Sequence, residues 1–328
     1  MRKRKIAGSE KNSRKYFKER QNRYRTPRND CAIFLNSEID SPQFYRPVKQ
    51  IHNTTVRAGS LELKSIKMKK INSKNIVFIT GAFVSNTCWD EWRKYFEAQG
   101  YNTTAPPWPY KNASAKELRN RQPNDTSLAS LTLDELINHY AAIVKSFPEK
   151  PIVVGHSLGG LITQVLVNRD LVAAGVAIHS VPPKGVFPYE FSFLKAGWKS
   201  LGLFTPIRKT YLMSFKDWQY AFVNGMSLED QRAAYEKYTI PESKSVARGG
   251  LSSAAKVDFD KPHPPLLLTS GSMDTIIPAH LNERNFKRYS KDGSVLDYRK
   301  FEGRNHFVLG QPTWKEDATY ILDWINSN

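Results

Sequence analysis

Ser157 lies in Gly155-His156-Ser157-Leu158-Gly159-Gly160, and the residues around it are those that a serine needs to become a nucleophile. A serine hydroxyl attacks poorly unless it is exposed, oriented and next to a base. Pro151-Ile152-Val153-Val154 reads as a strand running in. Leu161-Ile162-Thr163-Gln164-Val165-Leu166-Val167 reads as a helix running out. A sharp turn between the two puts the serine at an apex. Such a turn demands small neighbours, and Gly155 and Gly159 supply them, because a Cβ at either place would clash. The helix begins directly behind the hydroxyl, where its free N–H groups and its dipole favour an oxyanion.

A serine nucleophile needs a base, and the base needs an acid to orient it. Seven histidines are available. His156 lies inside the turn and is expected to pack beneath it rather than to serve Ser157. His139 falls on the polar side of a predicted helix. His52, His179, His263 and His280 have no setting in a loop after a strand. His306 has one, in Gly303-Arg304-Asn305-His306 after the strand Val295–Phe301. Asp274 also follows a strand end, in Gly271-Ser272-Met273-Asp274-Thr275-Ile276-Ile277-Pro278. The expected catalytic set is Ser157, Asp274 and His306.

The elements that must hold these residues alternate. Strands are expected at 76–79, 101–105, 151–155, 171–178, 265–271 and 295–301. Helices are expected at 89–98, 131–147, after Ser157, at 277–289 and at 312–325. Strands alternating with helices specify an α/β fold, a mostly parallel sheet with helices on both faces. Residues 184–262 break the alternation and are too long for a simple connection. They are rich in aromatic residues, with helical patterns near 190–201, 214–224 and 227–237. They read as a helical cap inserted before the acid-bearing strand, leaving 31–183 and 263–328 as the core. Within 31–74 the only pattern is a candidate hairpin, Leu61-Glu62-Leu63 with Ile66-Lys67-Met68.

The chain has 328 residues and a net charge of +18, unevenly spread. Residues 1–28 hold twelve Lys or Arg against Glu10 and Glu19, so this segment carries +10 and the other 300 residues only +8. Residues 1–30 lack apolar periodicity and read as a basic, disordered tail. The tail either is solvated or meets an anionic surface, a membrane or a nucleic acid. No apolar run approaches a transmembrane helix, and no apolar segment follows the basic N-terminus as in a secretory signal. Cys31 and Cys88 form neither a Cys-x-x-Cys nor a metal-ligand spacing. The expected setting is the cytoplasm, with no metal, no cofactor and no obligate protein partner.

The order Ser157, Asp274, His306 is that of the α/β-hydrolase fold. Residues 75–326 resemble that superfamily, and within it the capped bacterial serine ester hydrolases of lysophospholipase-like or monoacylglycerol-lipase-like kind. The matching motifs are Thr80-Gly81-Ala82-Phe83, Gly155-His156-Ser157-Leu158-Gly159-Gly160, Gly271-Ser272-Met273-Asp274 with Pro278, and Gly303-Arg304-Asn305-His306. The resemblance implies ester hydrolysis through an acyl-enzyme, without a cofactor. It also implies an oxyanion hole made by the backbone N–H groups of Leu158 and Ala82. Thr80 stands where the family usually has histidine, but the donor is a main-chain amide. Phe83, Trp89 and Phe307 are expected to line the substrate pocket.

The same fold hosts other chemistry. Plant hydroxynitrile lyases share the Gly81-Ala82…Trp89 pattern but place a lysine after the catalytic histidine, where this chain has Phe307. Cofactor-free haloperoxidases, perhydrolases and thioesterases remain alternatives on the same residues. A rival of another class is a non-catalytic scaffold whose basic tail binds a polyanion. The expected substrate is a small-molecule ester with a small or medium acyl group.

Overall fold

Side chains along a strand alternate between the two faces of a sheet, and here the alternation divides the core in two. The structure is a computed structural model that describes residues 70–202, 205–290 and 293–328. The tail at 1–30, the hairpin expected at 61–68 and Cys31 lie outside the described residues. Ile76, Phe78, Ile152, Val154, Val176 and Ile178 face one cluster of buried side chains, while Val77, Ile79, Val153, Ala177, Leu266 and Leu268 face the other.

The first strand, β1 (Asn75–Ile79), leads through a short 3-10 turn into α1 (Asp90–Glu97) and the edge strand β2 (Asn102–Thr104). Three helices follow, α2 (Ala115–Arg121), α3 (Thr126–Ser130) and α4 (Leu133–Lys145). β3 (Ile152–His156) turns directly into α5 (Leu158–Asn168), and β4 (Ala174–Ile178) comes next. Between β4 and β5 (Leu266–Gly271) the chain passes through α6 (Phe191–Leu201), α7 (Phe215–Ala221), α8 (Leu228–Tyr238) and α9 (Lys244–Gly249). The last elements are α10 (Ala279–Arg288), β6 (Leu296–Phe301) and α11 (Trp314–Ser327).

All six strands are parallel, in the order β2-β1-β3-β4-β5-β6. The sheet thus has the all-parallel form that strand–helix alternation predicts. Trp92 and Phe96 of α1 and Ile321 and Ile325 of α11 cover one face. Leu136 and Tyr140 of α4, Leu161 and Val165 of α5 and Leu281 of α10 cover the other. The order reverses between β1 and β3. At such a switch point the loops leaving the two strands diverge, and a crevice opens outside their carboxyl ends.

The polar stretch between β2 and α4 carries no apolar periodicity, yet it forms α2 and α3. Ser114 accepts from the Glu117 N–H while the Glu117 carboxylate returns to the Ser114 N–H, a complete capping box, and Asp125 accepts the Leu128 N–H at 3.0 Å. Each such cap contributes about 1 kcal/mol, enough to hold a short helix against a packed neighbour. The Ser114-x-x-Glu117 pattern was visible in the sequence. No described helix is long and apolar enough to cross a membrane.

Candidate active site

The crevice holds Ser157. β3 ends at His156, and α5 starts at Leu158, so one residue must reverse the chain. Ser157 does so with φ 57° and ψ −118°, a strained conformation for a residue with a Cβ. Its surroundings fix it there. Its N–H donates to the Ile178 carbonyl at 2.9 Å, and its carbonyl accepts the Val181 N–H at 3.0 Å. The glycines matter for the reason the sequence suggests. A Cβ on Gly155 would lie 2.1 Å from the Gly159 carbonyl oxygen, and one on Gly159 would lie 2.2 Å from the Ile79 carbonyl oxygen. Gly81 belongs to the same set, since its Cβ would come within 2.7 Å of the Ser157 Cβ.

The loop after β6 brings His306 over the elbow. Its Nε2 lies 3.0 Å from Ser157 Oγ, and its Nδ1 lies 2.7 Å from Asp274 Oδ2. A carboxylate only accepts, so Nδ1 carries the proton and Nε2 is left to accept the serine hydroxyl. The other carboxylate oxygen, Asp274 Oδ1, accepts the N–H groups of Ile276 at 2.9 Å and Ile277 at 2.7 Å. Burial alone would raise the Asp274 carboxyl, but His306 and His179 outweigh it and hold the group well below the usual carboxylate range. His156 packs beneath the turn and gives its Nε2 proton to the His306 carbonyl at 2.8 Å. Burial first, then His306 and His179, push its proton affinity well below that of an ordinary imidazole.

Leu158 opens α5, so its N–H lies in the first turn, which has no acceptors within the helix. Ala82 and Leu158 both line the crevice beside Ser157. The loop carrying Ala82 is tied down by its neighbour. Phe83 adopts φ 67°, and its N–H donates to Glu242 Oε2 at 3.0 Å. The same carboxylate oxygen holds Lys111 Nζ at 2.6 Å, in an ion pair that is buried on both sides. Backbone bonds run alongside, from Ile240 N–H to the Phe83 carbonyl at 2.9 Å and from Ser85 N–H to the Tyr238 carbonyl at 2.8 Å. The loop after β1 is therefore sewn to the chain that follows α8.

A cavity of about 470 Å³ opens at Ser157. Its walls are mainly apolar, among them Phe83, Val181, Phe193, Phe222, Leu251 and Ile276, and among the described residues Lys184 is the one charged residue lining it. Of the three pocket residues expected from sequence, Phe83 lines it and the other two need correction. Trp89 is fully buried beneath the sheet face, stacked on Phe78 with ring centroids 4.7 Å apart. Phe307 is also buried, packed on Trp218 and Tyr238 behind His306. Both side chains belong to the buried cluster on one face of the sheet, with Phe78 and Trp218. Among the described residues, one trio of acidic and imidazole groups converges closely enough to share a cation, His179, Asp274 and His306, within 4.8 Å. Both imidazoles aim an N–H, not a lone pair, at the carboxylate.

A sequence profile of the alpha/beta hydrolase family matches residues 76–315. The chain belongs to the alpha/beta hydrolase family. Solved structures of similar fold include a monoacylglycerol lipase from Paleococcus ferrophilus, 20% identical, with a TM-score of 0.54 over 77% of this chain and 94% of that one. The methylesterase MES16 from Arabidopsis is 16% identical, with a TM-score of 0.54 over 77% of this chain and 99% of that one. Methylketone synthase I from tomato, solved with 2-tridecanone, is 18% identical, with a TM-score of 0.56 over 78% and 98%. At these identities the likeness is one of fold. No curated protein sequence matches the chain.

Three residues of this alpha/beta hydrolase family member escape a reading of the sequence alone. His179 was set aside for want of a loop after a strand. It follows β4 directly, and its Nδ1 lies 3.0 Å from Asp274 Oδ2. Lys111 and Glu242 meet across 131 residues, and neither stands in a motif. The one available signal was for His179, since all parallel strands deliver their ends to one edge of the sheet.

Proposed function

We propose that the chain is a serine carboxylic ester hydrolase acting on a small or medium acyl ester through a covalent acyl-enzyme. The observation that carries this reading is the 3.0 Å approach of Ser157 Oγ to His306 Nε2, on the wall of an apolar cavity. Ser157 Oγ attacks the acyl carbon as its proton passes to His306 Nε2. The carbonyl oxygen becomes an oxyanion and takes hydrogen bonds from the Leu158 and Ala82 N–H groups. Collapse breaks the bond to the leaving alkoxide, which takes the proton from His306. Water then attacks the acyl-enzyme, with His306 again as base, and the acid leaves as Ser157 regains its proton. Asp274 keeps His306 in the required tautomer throughout.

Apolar walls with one lysine among them favour an uncharged acyl chain. Residues 184–262 act as the cap, since Phe187, Phe193 and Leu251 from this segment line the cavity. Monoacylglycerol lipase and methylesterase neighbours support ester chemistry on this fold. A fluorophosphonate probe tests the reading. It is expected to label the wild-type protein at Ser157 and to leave Ser157→Ala unlabelled. An unlabelled wild-type protein, or label on another residue, overturns the assignment.

A further inference from the structure

Asp274 Oδ2 accepts two imidazole N–H groups, from His306 at 2.7 Å and from His179 at 3.0 Å. With the Ile276 and Ile277 amides on Oδ1, all four lone-pair positions of the carboxylate are filled. The fold goes to some length to bring His179 there. The residue closes β4 with φ 45°, a left-handed conformation uncommon for a residue with a side chain. Its N–H is held by the Thr269 carbonyl of the next strand at 2.9 Å. Room for the ring comes from Gly271, where a Cβ would lie 2.6 Å from His179 Cε1. The ring is fully buried, and its Nε2 has no hydrogen-bond partner among the described residues. Its contact with Asp274 is thus the one polar bond that its side chain makes.

We propose that His179 is a positioning residue for the base, fixing the Asp274 carboxylate and competing with His306 for the same oxygen. This rests on the serine hydrolase reading above. A second donor on Oδ2 draws charge out of the bond to His306, so a protonated His306 gains less from Asp274. The bond from His306 Nδ1 to Asp274 Oδ2 is therefore weaker than one to a carboxylate serving a single imidazole.

Other groups face His179 from the elements packed around it. His156 at the end of β3 and His306 each have ring centroids 6.3 Å away. Asp317 of α11 faces the site too, but Arg304 Nε holds its carboxylate at 2.8 Å. None of these three hydrogen-bonds to the His179 side chain.

The test compares wild type, His179→Ala and His179→Asn. Asparagine puts an amide N–H near the place of Nδ1. The pH dependence of fluorophosphonate inactivation and of kcat/KM for a p-nitrophenyl ester are both read. In His179→Ala the acid limb is expected to move up by about half to one pH unit, with a loss of about tenfold on the plateau. His179→Asn is expected to return the limb to near its wild-type position. An unmoved limb in His179→Ala, or equal defects in both variants, overturns the proposal. Should His179→Ala fail to fold, the proton spectrum of the wild-type protein decides. Two downfield imidazole N–H resonances that shift together on labelling Ser157 support the shared carboxylate, and a single one overturns it. A wild-type protein that does not label overturns the hydrolase reading, and this role with it.

Discussion

Ser157, His306 and Asp274 each supply something the other two lack, so their variants fail in different ways. Ser157→Ala removes the proposed nucleophile and is expected to lower ester turnover by about 10⁴–10⁶-fold with the fold retained, which kinetics and circular dichroism together check. Asp274 is already ionised below neutrality, because His306 and His179 overcome its burial. In the proposed mechanism that leaves the His306 proton to control the rate. kcat/KM is expected to rise with pH along a single limb as imidazole deprotonates, and a second ionisation on that limb would contradict the assignment. His156 acts on stability instead. Its folded form resists the proton that the unfolded chain takes up below about pH 6.5. The unfolded state then binds more protons, so stability falls as pH falls below that value. His156→Gln, which can still donate to the His306 carbonyl, is expected to flatten the fall in Tm between about pH 7 and pH 5. These three residues were legible because the elbow motif and the Ser, Asp, His order are local patterns. Trp89 and Phe307 were misread because a sequence does not say which way an aromatic ring points.

The elements meet at places where backbone, not side chain, sets the limit. Gly159 lets α5 cross β1 so closely that any Cβ would run into the Ile79 carbonyl. Gly159→Ala is expected to cost several kcal/mol and to abolish soluble, cooperatively folded protein, as a urea melt would show. The Glu242–Lys111 pair joins three separate segments, and removing one partner leaves a buried charge. Glu242→Gln is expected to cost about 3–5 kcal/mol and to lower kcat more than it raises KM. Replacing both, as Lys111→Met with Glu242→Leu, should recover most of the stability, since a buried pair is often no better than apolar packing. It should not recover kcat, because leucine leaves the Phe83 N–H without its side-chain acceptor. Equal recovery of both would show that the pair only stabilises. Strands and long helices could be read from periodicity and caps. The ties at Glu242 could not, because pairing over such a separation leaves no local trace.

At the scale of the whole molecule, most of the charge lies outside the described core. We propose that residues 1–28 bind an anionic surface through their positive charge. Deleting them is expected to leave cooperative unfolding and small-ester turnover nearly unchanged, while retention on heparin falls. Full-length retention should weaken steeply with salt, since charges are screened beyond about 8–10 Å at physiological ionic strength. Salt-insensitive retention that survives the deletion would remove the proposed role.

The segment between β4 and β5 is stitched to both arms of the site. Phe222 accepts the Phe307 N–H at 2.9 Å, Asn224 accepts from Asn305 Nδ2 at 3.0 Å, and Ile240 donates to Phe83. Swinging this segment away would disturb the base and the oxyanion loop in one movement. Admission and turnover then have to occur with the segment in place, through the mouth beside the exposed Phe187 and Leu251. Loosening these ties is therefore expected to lower turnover even where it eases entry.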